Sequence, residues 1–287
     1  MSRLAAASAL TLLFLNTVAA ATANDDFEAL AERYVSDLAT FSPVNATAIG
    51  DHSADDILDD VSAAARERRG DMYREYLGAL DAIDRDALSR ANQVDAEMLR
   101  NELEASLWAL VTLQEWAWNP LYYVNTSGSA IYALLARDFA PIEQRLASAA
   151  ARLEQMPRFL EQARAAIEPE RVPKIHAETA IKQNPGLGAI IDTMIAPEME
   201  ALTSTQRDRL EAAIETAKDA VAEHQTWLEE ELLPRAAGDF RIGADLYDIK
   251  LAFALDSPLS RKEIRARAEA EYESVRNKMY ETAKVVY

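Results

Sequence analysis

From Asn24 onward the apolar residues of this chain recur three and four places apart. Phe27, Leu30, Ala31, Tyr34, Val35 and Leu38 set the pattern, which puts one apolar stripe along one side of a helix. The spacing returns in Met72, Tyr73, Tyr76, Leu77 and Leu80, and again from Leu99 through Leu103, Leu107, Leu110 and Leu113 to Trp116. It is longest in Leu210, Ile214, Ala217, Val221, His224, Leu228 and Leu232. Eight Gly and ten Pro in 287 residues are few for a protein built of hairpins, so an all-α fold follows: a multi-helix array of long antiparallel helices with short Pro- and Gly-bearing connections.

Punctuation residues place the breaks. Ser42-Pro43 reads as an N-cap with Pro at the first helical position, and Gly50 closes that short helix,. The acidic link 51–60 fails the calcium-loop template, because Asp56 and Ser62 stand where Gly and Glu are required,. Asn92 is the expected cap of the helix that follows, and Asn119-Pro120 its end,. Residues 121–129 read as an extended connection without a partner strand. Asp138 to Pro141 opens a helix, Pro157 starts or kinks the next, and the helix begun near Lys174 breaks at Asn184-Pro185-Gly186,. Thr203-Ser204-Thr205-Gln206 is a capping box for a helix expected to stop at Leu233, since Pro234 disfavours helical geometry before it and Gly238 suits a left-handed terminator,. Another helix starts near Gly243, and a second capping box, Ser260 to Glu263, opens the last one. That helix reaches Val285-Val286-Tyr287 without a stop signal, which reads as an incomplete domain cut mid-helix,.

Residues 1–23 have the form of a signal peptide: Arg3, an apolar run from Leu4 to Val18, and the small residues Ala21-Thr22-Ala23,. The expectation is export to the periplasm or the extracellular space, with residues 24–287 as the helical domain and no membrane association after cleavage. No Cys is present, so these residues hold neither a disulfide nor a thiolate metal site nor a lipid-bearing Cys. A formal net charge of -18 argues against nucleic acid as a partner,.

Catalytic templates are sparse. His52, His176 and His224 are the only imidazoles, and none has a His one turn away, as a metallopeptidase helix requires. His224 lies on the apolar stripe with Val221, Trp227 and Leu228 and reads as a hydrogen-bonded core histidine. Ser129 lacks a nucleophile elbow, and Gly186-Leu187-Gly188 lacks the third Gly and the strand of a dinucleotide loop,. Trp108, Trp116 and Trp118, with Tyr122 and Tyr123, can line a peptide-binding cleft or serve as core,.

One run is distinctive: Gly238-Asp239-Phe240-Arg241-Ile242-Gly243-Ala244-Asp245-Leu246-Tyr247. With residues 42–50, 95–100, 119–121, Pro157-Arg158-Phe159-Leu160 and Glu178-Thr179-Ala180 in the same order, it resembles the amino-terminal half of the bacterial family catalogued as domain of unknown function 885, whose members look like secreted zinc-peptidase relatives. In that family a later segment carries a His-Glu-x-x-Pro-Gly-His type motif associated with zinc, and no such motif occurs in these 287 residues. The resemblance implies zinc as cofactor and peptides as substrate for the full-length protein. For this chain it implies no bound cofactor, no catalytic residue, and helices that wall a substrate cleft. Asp239, Arg241 and Tyr247 are the candidate lining residues in that run, beside Tyr122 and Tyr123, with Arg241 able to pair with a peptide carboxylate. The expected partner is the missing carboxy-terminal half, or a second copy through exposed apolar surface. A complete exported helical binding or scaffold protein is the alternative.

Overall fold

Every regular element in the computed structural model, which describes residues 23–286, is helical. The leader expected at 1–23 lies, but for Ala23, outside the described residues. The chain divides into two compact units, one ending at Phe240 and one running from Arg241 to Tyr287.

In the first unit, helix α1 covers 23–41. Helix α2 (Pro43–Ile49) starts on the expected Pro and ends at Gly50, whose φ of 98° is the left-handed geometry that favours glycine,. Helices α3 (Ala63–Asp81) and α4 (Arg90–Trp108) pack on each other. With α1 they enclose one apolar cluster of Phe27, Leu30, Tyr34, Met72, Tyr76, Leu80 and Leu103. The cap of α4 is Ser89 rather than Asn92: the Ser89 hydroxyl accepts from Asn92 N, and the Asn92 amide donates to Asn24 and Glu28.

After a short helix α5 (Glu115–Trp118), helix α6 runs from Pro120 to Leu135. This corrects the extended connection expected at 121–129. Tyr123, Ser127, Ala130, Ile131 and Leu134 are all buried at helical spacing, and the Thr126 and Ser127 hydroxyls donate to the carbonyls of Tyr122 and Tyr123 one turn back. Burial of that face outweighs the strand preference of Tyr and Val. Helices α7 (Ile142–Glu154), α8 (Met156–Ala166), α9 (Lys174–Gln183), α10 (Gly186–Ile190) and α11 (Ser204–Trp227) complete the larger core, with α11 lying along α7 and α8, and α6 against α7 and α9. The Thr203–Gln206 capping box is formed.

Arg152, fully buried on α7, pins the acidic link to this core. Its guanidinium donates to the carbonyls of Pro43, Ala54, Ile57 and Ala130 and to the Thr47 hydroxyl. Asp55 and Asp59 supply the countercharge, although burial still lowers the guanidinium to about 10,.

The end of α11 differs from expectation. The helix widens into a π turn over Leu228–Leu232 and continues as helix α12 (Leu233–Arg235) through Pro234. The wider turn leaves room for a ring that would otherwise clash with the preceding carbonyls. Gly238 is not a left-handed terminator. Its N–H donates to Val172 O at 2.9 Å in a parallel bridge, and a Cβ there would lie 2.0 Å from the Arg171 carbonyl oxygen. Close backbone approach is what requires glycine at this position.

The second unit is a helical hairpin of α13 (Ala244–Leu255) and α14 (Arg261–Val286). Asp256 turns it with φ 42°, Arg261 pairs with Asp248, and Ser260 and Glu263 form the second capping box. Tyr272, Met279 and Tyr280 on α14 are each more than 60% exposed.

Candidate functional site

One pocket of the first unit follows from an irregularity. Helix α4 ends in a π turn over Ala109–Leu113, and Gln114 then takes a left-handed conformation with φ 54°. A widened turn leaves carbonyls without their usual partners. Here the Trp116 indole N–H donates to Leu110 O and the Trp118 indole N–H to Leu113 O, both at 2.9 Å, while Gln114 N donates to Ala109 O. The tryptophans thus seal the break, and the Trp116 ring is held against Arg66 of α3.

A pocket of about 230 Å³ opens between α3, the π turn, α5 and α6. Its apolar wall is Val61, Ala109, Leu110 and Trp116, with the rings of Tyr73, Tyr122 and Tyr123; its polar groups are Asp60, Arg66, Arg69, Ser106 and Glu115. Arg66 stacks on Trp116 with the guanidinium carbon 4.0 Å from the ring centre, and its Nη1 donates to Val61 O,. Burial holds that guanidinium below its ordinary value, with Tyr123 and Asp60 opposing. One turn along, Arg69 donates to Phe41 O and faces Tyr122 and Tyr73. Burial raises both phenols, and the Arg69 charge partly offsets it,. Burial also lifts the Tyr123 phenol, whose hydroxyl donates to Trp116 O. Asp60 accepts from Ser62 N, Gln162 and Arg68. Burial pushes its carboxyl up, but those bonds and the Arg158 charge leave it below the usual range.

Of the residues singled out from sequence, Tyr122 and Tyr123 line this pocket together with Trp116. Trp118 instead stacks on His176. Asp239 lies exposed near the end of the first unit, and Arg241 and Tyr247 belong to the second unit, both exposed. Sequence reasoning passed over Arg66 and Arg69, and read Tyr73 only as part of an apolar stripe. Their spacing of three and four was the available signal, since it places two guanidinium groups and a phenol on one side of α3.

The histidines do not converge. His52 stacks on Phe139 and pairs with Asp55 at 3.0 Å. His176 packs on Trp118, and burial lowers its imidazole. His224, 0% exposed, stacks on Trp227, and both ring nitrogens lack a hydrogen-bond partner, correcting the hydrogen-bonded histidine expected there. No group of three or more His, Cys, Asp or Glu among the described residues is placed to hold a metal ion. These residues therefore do not fit a zinc site. No helix of the described residues is long and apolar enough to cross a membrane.

Known proteins bear on this arrangement at two levels. No curated protein matches the chain. Among solved structures, a protein described as "a putative lipoprotein of unknown function from Shewanella oneidensis" superposes with a TM-score of 0.79 at 25% identity, over 88% of this chain and 46% of that one. The chain thus spans less than half the length of this neighbour. The family model described as bacterial protein of unknown function (DUF885) matches residues 43–287, from the start of α2 through the π-turn pocket to the terminal hairpin, and the chain belongs to that family.

Proposed function

We propose that this chain is the amino-terminal helical portion of an exported, zinc-metallopeptidase-like protein acting on peptides, and that its part in that activity is to hold substrate. The observation that carries the reading is the aromatic pocket at the α4 break, where Trp116 and three tyrosines adjoin two guanidinium groups. Such a surface suits an apolar side chain flanked by peptide polar groups. The residues described here supply no metal site, so no step of peptide cleavage is assigned to them. Zinc belongs, on this reading, to the longer protein. The signal peptide read from residues 1–23 supports export, and the lipoprotein description of the structural neighbour supports a place at the cell envelope. Tyr272, Val275, Met279 and Tyr280 on the hairpin are exposed, and they are the surface on which further helices of a longer protein, or a second copy, would pack.

The separate engagement of all three histidines favours a second reading, an exported helical binding or scaffold protein without catalysis. A peptide-cleavage assay separates the two. The 287-residue chain with added zinc is expected to show no turnover, while a longer gene product carrying a His-Glu motif is expected to cleave peptides and to lose activity to a chelator. Inactivity of that longer product would remove the enzyme reading.

A further inference from the structure

We infer that the pocket between α3 and α6 is a binding site for a small monocarboxylate with an aromatic or branched apolar body, held by Arg66 and Arg69. The inference rests on reading this pocket as the place where substrate is held, and it names the chemistry recognised there.

Two guanidinium groups, those of Arg66 and Arg69, face the pocket. Each carries five N–H donors in a planar fork. Arg66 spends Nη1 on Val61 O and has its guanidinium carbon 4.0 Å over the centre of the Trp116 ring, two contacts that hold it in place; Arg69 spends Nη2 on Phe41 O and contacts Tyr122. These anchors occupy only part of each fork. Two cations one helical turn apart, positioned by backbone carbonyls and an indole, form a pre-organised acceptor for a carboxylate. The partial burial that disfavours the charge on Arg66 also strengthens its attraction to an anion that enters,.

The charge of the walls sets how much anion fits. Asp60 is already taken up by Arg68 at 3.1 Å, Gln162 and Ser62 N, so it does not neutralise Arg66 in full. Glu115 adds one negative charge to the lining. Buried Asp59 is a further countercharge beside Arg69, shared with Arg152, so the acids nearly balance the two guanidinium groups; one carboxylate is the most these walls accept, and the second charge of a phosphate would meet Glu115 and Asp60,. The remaining wall is apolar and aromatic: Val61, Leu110, Trp116 and the rings of Tyr73, Tyr122 and Tyr123. At about 230 Å³ the space takes one side chain of aromatic size and its carboxylate, not an extended chain,. Two sources share this chemistry, the free carboxyl end of a peptide and a free aromatic acid.

The test is a calorimetric or NMR titration of the 287-residue chain with N-acetyl-L-phenylalanine, 3-phenylpropionate, the primary amide of each, and inorganic phosphate. Both acids are expected to bind, each at least about tenfold more tightly than its amide, because the amide keeps the shape and loses the charge-assisted bonds. Tighter binding of the acetylated amino acid than of 3-phenylpropionate identifies a peptide end; the reverse identifies a free acid. Arg66→Gln and Arg69→Gln are each expected to weaken the acids at least about fivefold while leaving amide binding within about twofold. Equal affinity for acid and amide, no binding of either acid, or phosphate binding more tightly than both acids would overturn the assignment. The acid-against-amide comparison needs no variant, so a substitution that unfolds the protein does not block it. Failure of the longer protein to cleave peptides would remove the enzymatic reading and leave this binding result standing, so the two outcomes are distinguishable.

Discussion

Replacing His224 by leucine should remove a specific acid sensitivity from the fold. The imidazole is fully buried against Trp227, with both nitrogens unpaired. Burial, followed by the nearby Arg164 charge, lowers it from 6.5 to about 4,. Arg164 itself pairs with Glu223 at 3.0 Å, which spares His224 only part of that field. Above pH 6.5 the ring is neutral in folded and unfolded chains alike, and it contributes no pH dependence. As pH falls through 6.5 the unfolded chain takes up the proton first, so stability is lost until the folded ring also protonates near pH 4. A depression of that size is worth about 3 kcal/mol across the window, and about 2 kcal/mol is already lost at pH 5. Urea unfolding of wild type and His224→Leu at pH 7.5 and pH 5.0 isolates the effect, because carboxylates common to both cancel in the difference. Wild type should lose about 2 kcal/mol more than the variant on acidification, or about 4–8 °C in Tm. At pH 7.5 the variant should be at least as stable, since it no longer buries unsatisfied donors and acceptors. An acid response identical in both proteins would refute the buried, unpartnered state assigned to this ring.

Three further outcomes follow from the same geometry. Arg152→Met should cost about 3–5 kcal/mol and lower Tm by about 10 °C, because it strands four carbonyls, Thr47 and the countercharges Asp55 and Asp59 in the core,. Gly238→Ala should cost about 2 kcal/mol and open the 236–240 segment to limited proteolysis, since its Cβ would collide with the Arg171 carbonyl,. Thr203→Ala should cost about 1 kcal/mol by thermal melt, the value of a helix cap, with Gln206→Ala adding little once the reciprocal bond is gone,.

Signals that act within one turn of chain were legible in the sequence. Pro43 and Gly50 bound α2, the boxes at Thr203 and Ser260 cap α11 and α14, and helical spacing identified the buried faces. What escaped depended on contacts distant in the chain. Tyr122, Tyr123 and Val124 prefer strands locally, and only the burial of Tyr123, Ser127, Ile131 and Leu134 against other helices makes them helical,. Gly238 looked like a terminator because sequence cannot show that Arg171 lies against it. His224 was placed in the core by its spacing, but spacing does not reveal whether a buried nitrogen finds a partner.

The pocket was half legible for the same reason. Its aromatic residues stand out in composition, yet what joins them to Arg66 and Arg69 is the widened turn at Ala109–Leu113. That turn fits one more residue than an α turn and so shifts the facing of everything after it. Gln114 then reverses the chain in a conformation that costs a non-glycine residue about 1 kcal/mol or more,. The indole bonds of Trp116 and Trp118 offset that strain by satisfying carbonyls the turn exposes. An uninterrupted α4 would carry its apolar stripe past α3 without a gap. The break instead turns Trp116 back beneath Arg66 and opens the space that α6 then walls with Tyr122 and Tyr123. The strained turn and the binding surface are therefore one feature, and the two tryptophans serve it twice, through an N–H that closes the backbone and, at Trp116, a ring face that orients a cation.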